Sequence, residues 1–265
     1  MAKGGETLTR GLYTAASGML ALQVGMDACA NNLANVSTVG YKRDRTVYHD
    51  FEDMLIVRMY DRPDAPSDPL PRMLPLVGRL GTGVYPEDVV TAFDAQGPLE
   101  LTERPLDIAL QGAGYLVVQT PTGERYTRAG QIERAPDGQL QNLNGHPFMG
   151  ENGPVYLPRD ATDKDISITQ DGAIYAKGVL VDRLRLVSLP KTAVKSGYTL
   201  VDAKGPVTEW AAGTKVEQGY LEQSTVNGVR ETVELIEIQR AYEAGAKMIQ
   251  ASDETLGRLF EEVAR

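Results

Sequence analysis

Sustained heptad seams lie near both ends of this 265-residue chain, and they constrain its fold more than any other feature. In each seam, apolar or small residues recur in alternating steps of three and four, which places them on one face of a helix. The first seam consists of Leu12, Ala15, Met19, Leu22, Met26, Cys29 and Leu33. The second consists of Leu235, Ile238, Tyr242, Gly245, Ile249, Ser252, Leu256, Leu259 and Val263.

A helix with such a seam needs a partner helix, so we expect the two terminal helices to pair with each other, with other copies of the chain, or with both. This layout is typical of a subunit that assembles and argues against an ordinary enzyme. The candidate assembly interface comprises the larger side chains of the seams: Leu12, Met19, Leu22, Met26, Leu33, Leu235, Ile238, Tyr242, Ile249, Leu256, Leu259 and Val263.

The two helices are predicted to differ in their surroundings. The first is expected to begin near Thr9 and to end around Asn35, and between Gly11 and Val39 it carries one charged residue, Asp27. A helix with so little charge is typically buried on most sides. The second helix is expected to begin near Asn227, and it is charged outside its seam.

The region between the helices is predicted to be β-structure. Asn-Gly and Asp-Gly pairs recur from residue 84 onward, and such pairs supply the positive φ angles of tight hairpins. We therefore expect an α+β fold with a central all-β domain, an antiparallel sandwich or barrel-like form. The predicted domains are a helical coiled-coil domain (1–40 with 225–265), an extended Pro- and Gly-rich connector (41–83) and a β-rich outer domain (84–224).

Composition excludes several classes of function. The formal net charge of −9, with no long basic run, argues against a nucleic-acid partner. The single cysteine, Cys29, excludes a disulfide framework, and we predict no metal, cofactor or catalytic site because His49 and His146 have no suitable neighbours in the sequence. Neither a cleaved signal peptide nor a membrane-spanning segment is recognised, so we expect no membrane insertion.

Five segments, in order along almost the whole chain, resemble motifs of the bacterial flagellar rod and hook proteins. They are residues 30–42 (ANNLANVSTVGYK), 105–116 (PLDIALQGAGYL), 126–130 (YTRAG), 218–227 (QGYLEQSTVN) and 240–244 (RAYEA). Two substitutions depart from the family pattern: Tyr41 replaces a phenylalanine and Thr225 replaces an asparagine. The residues that carry the first motif are Asn31, Asn32, Leu33, Ala34, Asn35, Gly40, Tyr41 and Lys42.

The resemblance implies a structural function. The chain would be exported unfolded by the flagellar export apparatus, without cleavage, and would polymerise in the periplasm into the basal-body rod that transmits torque from motor to hook. Its partners would be other copies of itself and other rod and hook subunits. The terminal helices would form an inner coiled-coil domain, and the β-domain would form an outer layer.

Two questions stay open at the level of sequence. Residues 145–154 resemble the proximal (FlgF) type of rod subunit, whereas the first forty-five residues and residues 51–55 resemble the distal (FlgG) type; we favour the proximal type slightly. The alternative to a rod subunit is a soluble β-domain binding module with a coiled-coil stem. The alternative predicts a discrete oligomer, whereas a rod subunit predicts open helical assembly.

Overall fold

Two long helices flank a β-rich region in the computed structural model, which describes residues 3–51, 54–57, 76–209 and 213–263. Helix α1 spans Lys3–Ala34 and helix α2 spans Gly228–Val263. Helix α1 begins before the expected Thr9, since residues 3–8 contain no proline that would stop it. Helix α2 begins directly after Asn227, whose side-chain oxygen accepts a hydrogen bond from the Arg230 amide, as expected for an N-cap.

The described strands are short, and they follow one another along the chain with few interruptions. The first ten are β1 (Asp44–Asp50), β2 (Met54–Val57), β3 (Leu76–Leu80), β4 (Val84–Thr91), β5 (Leu99–Leu101), β6 (Ile108–Gln111), β7 (Gly114–Thr120), β8 (Gly123–Thr127), β9 (Glu133–Arg134) and β10 (Leu140–Gln141). Then come β11 (Met149–Gly150), β12 (Gly153–Pro154), β13 (Ile166–Ile168), β14 (Ala173–Ala176), β15 (Val179–Arg183), β16 (Leu186–Ser188), β17 (Val194–Ser196), β18 (Leu200–Asp202), β19 (Thr208–Glu209), β20 (Lys215–Gln218) and β21 (Tyr220–Glu222).

The chain divides into two compact units. Unit 1 contains Met1–Cys29, Arg45–Val90 and Val233–Arg265, and unit 2 contains Ala30–Asp44 and Thr91–Thr232. Each helix therefore contributes to both units. Unit 2 holds the last residues of α1, the first turn of α2 and most of the strands.

Unit 2 is built around a six-stranded antiparallel sheet with the order β17-β18-β8-β7-β16-β19. Smaller antiparallel sheets accompany it, among them β13-β14-β15, β20-β6 and β21-β5. Alternate residues of β7 point to opposite faces, so Leu116 and Val118 join one apolar cluster, whereas Tyr115 and Val117 join another. The larger cluster also contains Phe148, Ile174 and Leu186, all almost fully buried.

The predicted α+β class is confirmed, because terminal helices flank antiparallel sheets. Polar and apolar residues alternate at 183–187, which predicts one strand, but the structure divides this segment between β15 and β16. The glycines of the Asp-Gly and Asn-Gly pairs, such as Gly138 and Gly145, have positive φ angles, as predicted. The barrel-like form is not confirmed: among the described residues the largest sheet is open, with β17 and β19 at its edges.

Unit 1 combines most of both helices with two small sheets. Strand β1 pairs with β4, and β2 pairs antiparallel with β3. These strands fall inside or next to the segment 41–83 that we predicted to be an extended connector, and all five of its prolines lie outside the described residues. Neither described helix has a stretch that is long and apolar enough to cross a membrane.

Candidate assembly site

The first family motif forms the turn by which the chain leaves α1. The amide side chain of Asn35 donates to the main-chain oxygen of Asn31, which satisfies a carbonyl at the helix end. Gly40 follows with a φ of +69°, a conformation that favours glycine. A Cβ there would lie 2.5 Å from the Ala129 nitrogen, so only glycine lets the two backbones approach. The turn directs Tyr41 and Lys42 into the interior of unit 2, where both are buried.

Lys42, Arg128 and Glu222 form a fully buried ion cluster, which we call the Glu222 cluster. The Lys42 ammonium lies 2.6 Å from one Glu222 carboxylate oxygen, and the Arg128 guanidinium lies 3.0 Å from the other. The amide of Gly97 also donates to the carboxylate. Glu222 is thus a buried charge with three donors, which is the condition under which a carboxylate tolerates loss of water.

Main-chain oxygens complete the Glu222 cluster. Lys42 donates to the Ala95 carbonyl, and Arg128 donates to the carbonyls of Leu110 and Gly112. Burial lowers the pKa of Lys42, while its contact with the Glu222 carboxylate opposes that shift. The cluster therefore joins Lys42 to strands β6 and β21 and to Arg128, the residue that follows β8; these segments are distant in sequence.

A second set of polar residues surrounds the carboxylate of Asp44, and we call it the Asp44 cluster. Its members are Asn32, Tyr41, Asp44, Thr91 and Lys195. The Thr91 hydroxyl lies 2.6 Å from one Asp44 oxygen, and the Lys195 ammonium lies 2.9 Å from the other. Lys195 also sits 3.7 Å from the centre of the Tyr41 ring, a cation–π contact.

Burial changes the proton affinities in the Asp44 cluster. The pKa of the Tyr41 hydroxyl is well above its usual range, first because it is buried and then because the Asp44 carboxylate lies beside it. Burial lowers the pKa of Lys195, and the carboxylate of Asp44 opposes this shift. For Tyr41 both effects favour the neutral hydroxyl, whereas for Lys195 the Asp44 carboxylate favours the charged ammonium that burial disfavours.

Asn32 connects the last turn of α1 to the first turn of α2. Its side-chain nitrogen donates to the Asp44 carbonyl (2.8 Å) and to the Glu231 carboxylate (3.1 Å). Its side-chain oxygen accepts from the Asp44 amide and the Tyr41 hydroxyl. Glu231 is buried and also accepts from Arg43 at 2.5 Å. One asparagine thus fastens both helix ends to the same loop of unit 2.

The arrangement holds distant segments together. The charged groups of the two clusters bind each other, neighbouring polar side chains or the main chain. Among the described residues, no three His, Cys, Asp or Glu side chains are placed to hold a metal ion. His49 pairs with Glu87 on the surface instead.

The structure places most of the seam residues at partly buried positions on one face of each helix. The half-buried ones are Leu12, Met19, Leu22, Met26, Leu33, Leu235, Ile238, Tyr242, Ile249 and Leu256. Leu259 is exposed, and the side chain of Val263 lies outside the described part. Of the first motif, Asn32, Asn35, Gly40, Tyr41 and Lys42 are buried, whereas Asn31 and Ala34 are exposed and Leu33 is half-buried.

Several helix contacts within the units involve seam residues. In unit 1, Met19 reaches Gly245, and the end of the Ile238 side chain lies 3.6 Å from the position that a Cβ on Gly25 would take. In unit 2, Leu33 and Val36 lie beside Gly228. The helices therefore contact at these points in opposite chain directions. Whether the seams assemble chains stays a prediction.

Sequence reasoning missed most of the charged members of the clusters. Arg128 and Glu222 stand inside quoted motifs, where a charged residue among apolar and small ones is a usable signal. Asp44, Glu231 and Lys195 give no such signal, because their partners are far away in the sequence. Lys195 and Asp44 are 151 residues apart, and Glu231 and Asn32 are 199 residues apart.

Comparison with known proteins supports the family resemblance that the five motifs indicate. Residues 12–42 match the family of flagella basal body rod proteins, residues 109–176 match the D1 domain of the flagellar hook proteins FlgE/F/G, and residues 217–261 match the C-terminal region of the flagellar basal body rod FlgEFG proteins.

Two of the following three relatives extend these matches over more than nine-tenths of the chain. The flagellar basal-body rod protein FlgG of Buchnera aphidicola is 34% identical over 264 residues, covering 94% of this chain and 97% of its own. FlgF of Caulobacter vibrioides is 32% identical over 250 residues, covering 92% and 93%. FlgF of Escherichia coli is 37% identical over 179 residues, covering 61% and 70%.

Two long terminal helices around a β-rich region, with buried ion pairs that join distant segments, form the architecture of a structural subunit. The chain belongs to the flagellar basal-body rod and hook family, within the group formed by the FlgF and FlgG rod proteins.

Proposed function

We propose that this chain is a structural subunit of the flagellar basal-body rod, which connects motor to hook, and that it has no catalytic activity. The observation that carries the proposal is the convergence of four of the five recognised motifs on the two polar clusters. Asn32, Tyr41 and Lys42 come from the first motif, and Gly112, Arg128 and Glu222 come from the next three. Residues of these motifs therefore meet in the folded chain although they lie far apart in the sequence.

Assembly through the terminal helices is the central step of the proposed function. The seam residues are half-buried in the single chain, so each helix keeps apolar surface available to further helices. The contacts of Met19 with Gly245 and of Ile238 with Gly25 support an antiparallel coiled coil as the inner domain. We keep the domain boundaries 1–40 with 225–265, 41–83 and 84–224 as part of this proposal, with the β-domain as outer layer.

Export and location follow from the family resemblance. The chain would cross the inner membrane unfolded, through the flagellar export apparatus and without a cleaved signal, and would fold in the periplasm at the growing rod. Rod and hook subunits and other copies of itself would be its partners, without nucleic acid and without insertion into a membrane.

The position of the subunit within the rod is a separate prediction. Residues 145–154 are the reason that we favour the proximal type. Relatives of both types share about a third of their residues with this chain, so overall identity does not separate the two types. Expression in two strains, one lacking its proximal and one lacking its distal rod subunit, tests this. Restored swimming in the strain without the proximal subunit alone is the expected result.

The function itself is tested by deleting the gene and isolating basal bodies. We expect the deletion strain to be non-motile, with incomplete rods, and the restored chain to be present in purified basal bodies. A chain that is absent from basal bodies, or that purifies as a discrete oligomer of fixed size, would favour the alternative of a binding module with a coiled-coil stem.

A further inference from the structure

Unit 1 contains an apolar groove. It measures about 710 Å³ and opens between α1 and α2. Small residues form much of its lining: Gly11, Ala15 and Gly18 from α1, and Ala241, Ala244 and Gly245 from α2. Small side chains leave room for large ones to enter, and the described residues that line the groove carry no charge.

The opposite face of α1 carries large exposed side chains. Tyr13 and Leu20 are 73% and 63% exposed, although both are large and apolar. In a helix of 3.6 residues per turn, a residue two positions further along lies roughly 200° around the axis. Tyr13 is two positions after Gly11 and Leu20 is two positions after Gly18, so this face points away from the groove.

The chemistry of the two surfaces favours this face as the occupant. The groove lacks charged groups, and a charge buried in it would lose its water without gaining a partner. Around Tyr13 and Leu20, α1 carries no charge between Gly11 and Met26. On α2, by contrast, the exposed apolar side chains Val229, Val233 and Ile236 are interleaved with charged residues, among them Arg230, Glu234 and Glu237.

We propose that the groove of one subunit receives the Tyr13 and Leu20 face of α1 from a second copy of this chain. This inference rests on the proposed rod function and adds the particular surfaces that meet. Because groove and inserted face lie on opposite sides of one helix, each copy can bind one neighbour on each side. Such a contact is heterologous and continues from copy to copy instead of closing as a symmetric dimer.

The contact is tested with paired cysteines in assembled basal bodies. The chain carries Cys29→Ala, so that the native thiol is removed, together with Leu20→Cys on the inserted face and Ala244→Cys in the groove. The matched control replaces Ala244→Cys by Gln250→Cys, which is exposed on α2 and lies roughly 120° outside the groove-lining face, six positions after Ala244. A disulfide forms only when the two Cα atoms come within about 7 Å.

After mild oxidation of isolated basal bodies, we expect a ladder of covalent multimers for the Leu20→Cys and Ala244→Cys pair. The control pair and each single cysteine should give monomers. Covalent dimers without longer products, an intramolecular disulfide, monomers alone, or an equal ladder for the control would each overturn the proposal.

Failure of this contact is distinguishable from failure of the rod function. If the cysteine variants are found in basal bodies but do not cross-link, the groove assignment is wrong and the rod function stands. If the unmodified chain is absent from basal bodies, the rod function itself is wrong. As a second measurement, Leu20→Asp should sharply reduce the number of complete rods, because it would place a charge in the uncharged groove; normal rod numbers would contradict the docking.

Discussion

Gly40 shows how much of the site depends on a single backbone conformation. It is the residue at which the chain turns from the end of α1 toward Tyr41 and Lys42. Its amide donates to the main-chain oxygen of Glu222 at 2.7 Å, while its α-carbon lies against the backbone at Arg128 and Ala129. The residue thus sets both the direction of the chain and its distance from the Glu222 cluster.

Gly40→Ala should lower the free energy of unfolding strongly. A positive φ costs a non-glycine residue about 1–2 kcal/mol, and overpacking against backbone adds about 1–3 kcal/mol. The matched control is Gly145→Ala, whose φ is +78° but whose Cβ would meet nothing within 4 Å. Urea unfolding followed by circular dichroism should show the larger loss for Gly40→Ala, and equal losses would mean that the close approach to Ala129 does not matter.

Tyr41 should make the protein sensitive to alkaline conditions. Its pKa is raised above the ordinary value of 10.0 in the folded chain, so its contribution to stability is complete below about pH 10 and is lost as pH rises further. Burial also raises the pKa of Tyr115, to about 12, with the same sign. At about pH 11, each of these two tyrosines lowers the free energy of unfolding by about 1 kcal/mol relative to its value below pH 10.

The test compares the wild-type chain with Tyr41→Phe, each unfolded in denaturant near neutral pH and near pH 11. We expect the free energy of unfolding to fall less between the two pH values in Tyr41→Phe, since contributions from Tyr115 and from the lysines are common to both chains. Parallel pH profiles would show that the Tyr41 hydroxyl ionises as readily in the folded chain as in the unfolded one.

At the scale of elements, the last turn of α1 and the first turn of α2 are held by side chains rather than by the seams alone. Asn32 is buried and makes four hydrogen bonds, two as donor and two as acceptor. A carboxylate of the same shape would lose both donors and would stand beside the Glu231 carboxylate. The two helix ends therefore depend on an amide at this position.

Asn32→Asp should destabilise the chain by more than about 3 kcal/mol, because it creates a buried, like-charged pair. Its neighbour in the same motif offers a matched control. Asn31 is exposed, and its side-chain oxygen accepts a bond from Asn35 that an aspartate would preserve. We expect Asn31→Asp to cost less than about 1 kcal/mol, as measured by thermal unfolding. A similar cost for both changes would show that the Asn32 amide does not hold the two helix ends together.

The helices and hairpins could be predicted from the sequence because their signals are local. The seam of α2 recurs every three or four residues, and the Asn144-Gly145 pair specifies its own turn. The polar clusters could not be predicted in the same way, since Lys42 and Glu222 carry no mutual signal across 180 residues. The break of the expected strand at Leu184 and Arg185 depends on pairing partners, which no local pattern encodes.

At the scale of the whole molecule, the seam of α2 should decide whether chains assemble. Ile249 and Leu256 are half-buried on that seam, whereas Gln250 is exposed beside it. Ile249→Asp or Leu256→Asp would place a charge where a second helix must pack, at a cost of several kcal/mol if it is fully desolvated and unpaired.

Counting complete rods in isolated basal bodies, together with a swimming assay, measures the effect. We expect few rods and little swimming with either seam variant, and normal rods with Gln250→Asp, which introduces the same charge off the seam. Normal rods in the seam variants would show that this heptad row is not an assembly interface.

The long separation between Lys42 and Glu222 also has a consequence for the chain as it is synthesised. A ribosome adds roughly 5–20 residues per second, so the 180 residues between these partners take roughly 10–40 s to translate. During that interval Lys42 and Asn32 have been made, but Glu222 and Glu231 have not. A nascent chain therefore cannot close the Glu222 cluster, and cannot bring Asn32 against Glu231, until almost the whole chain has been made.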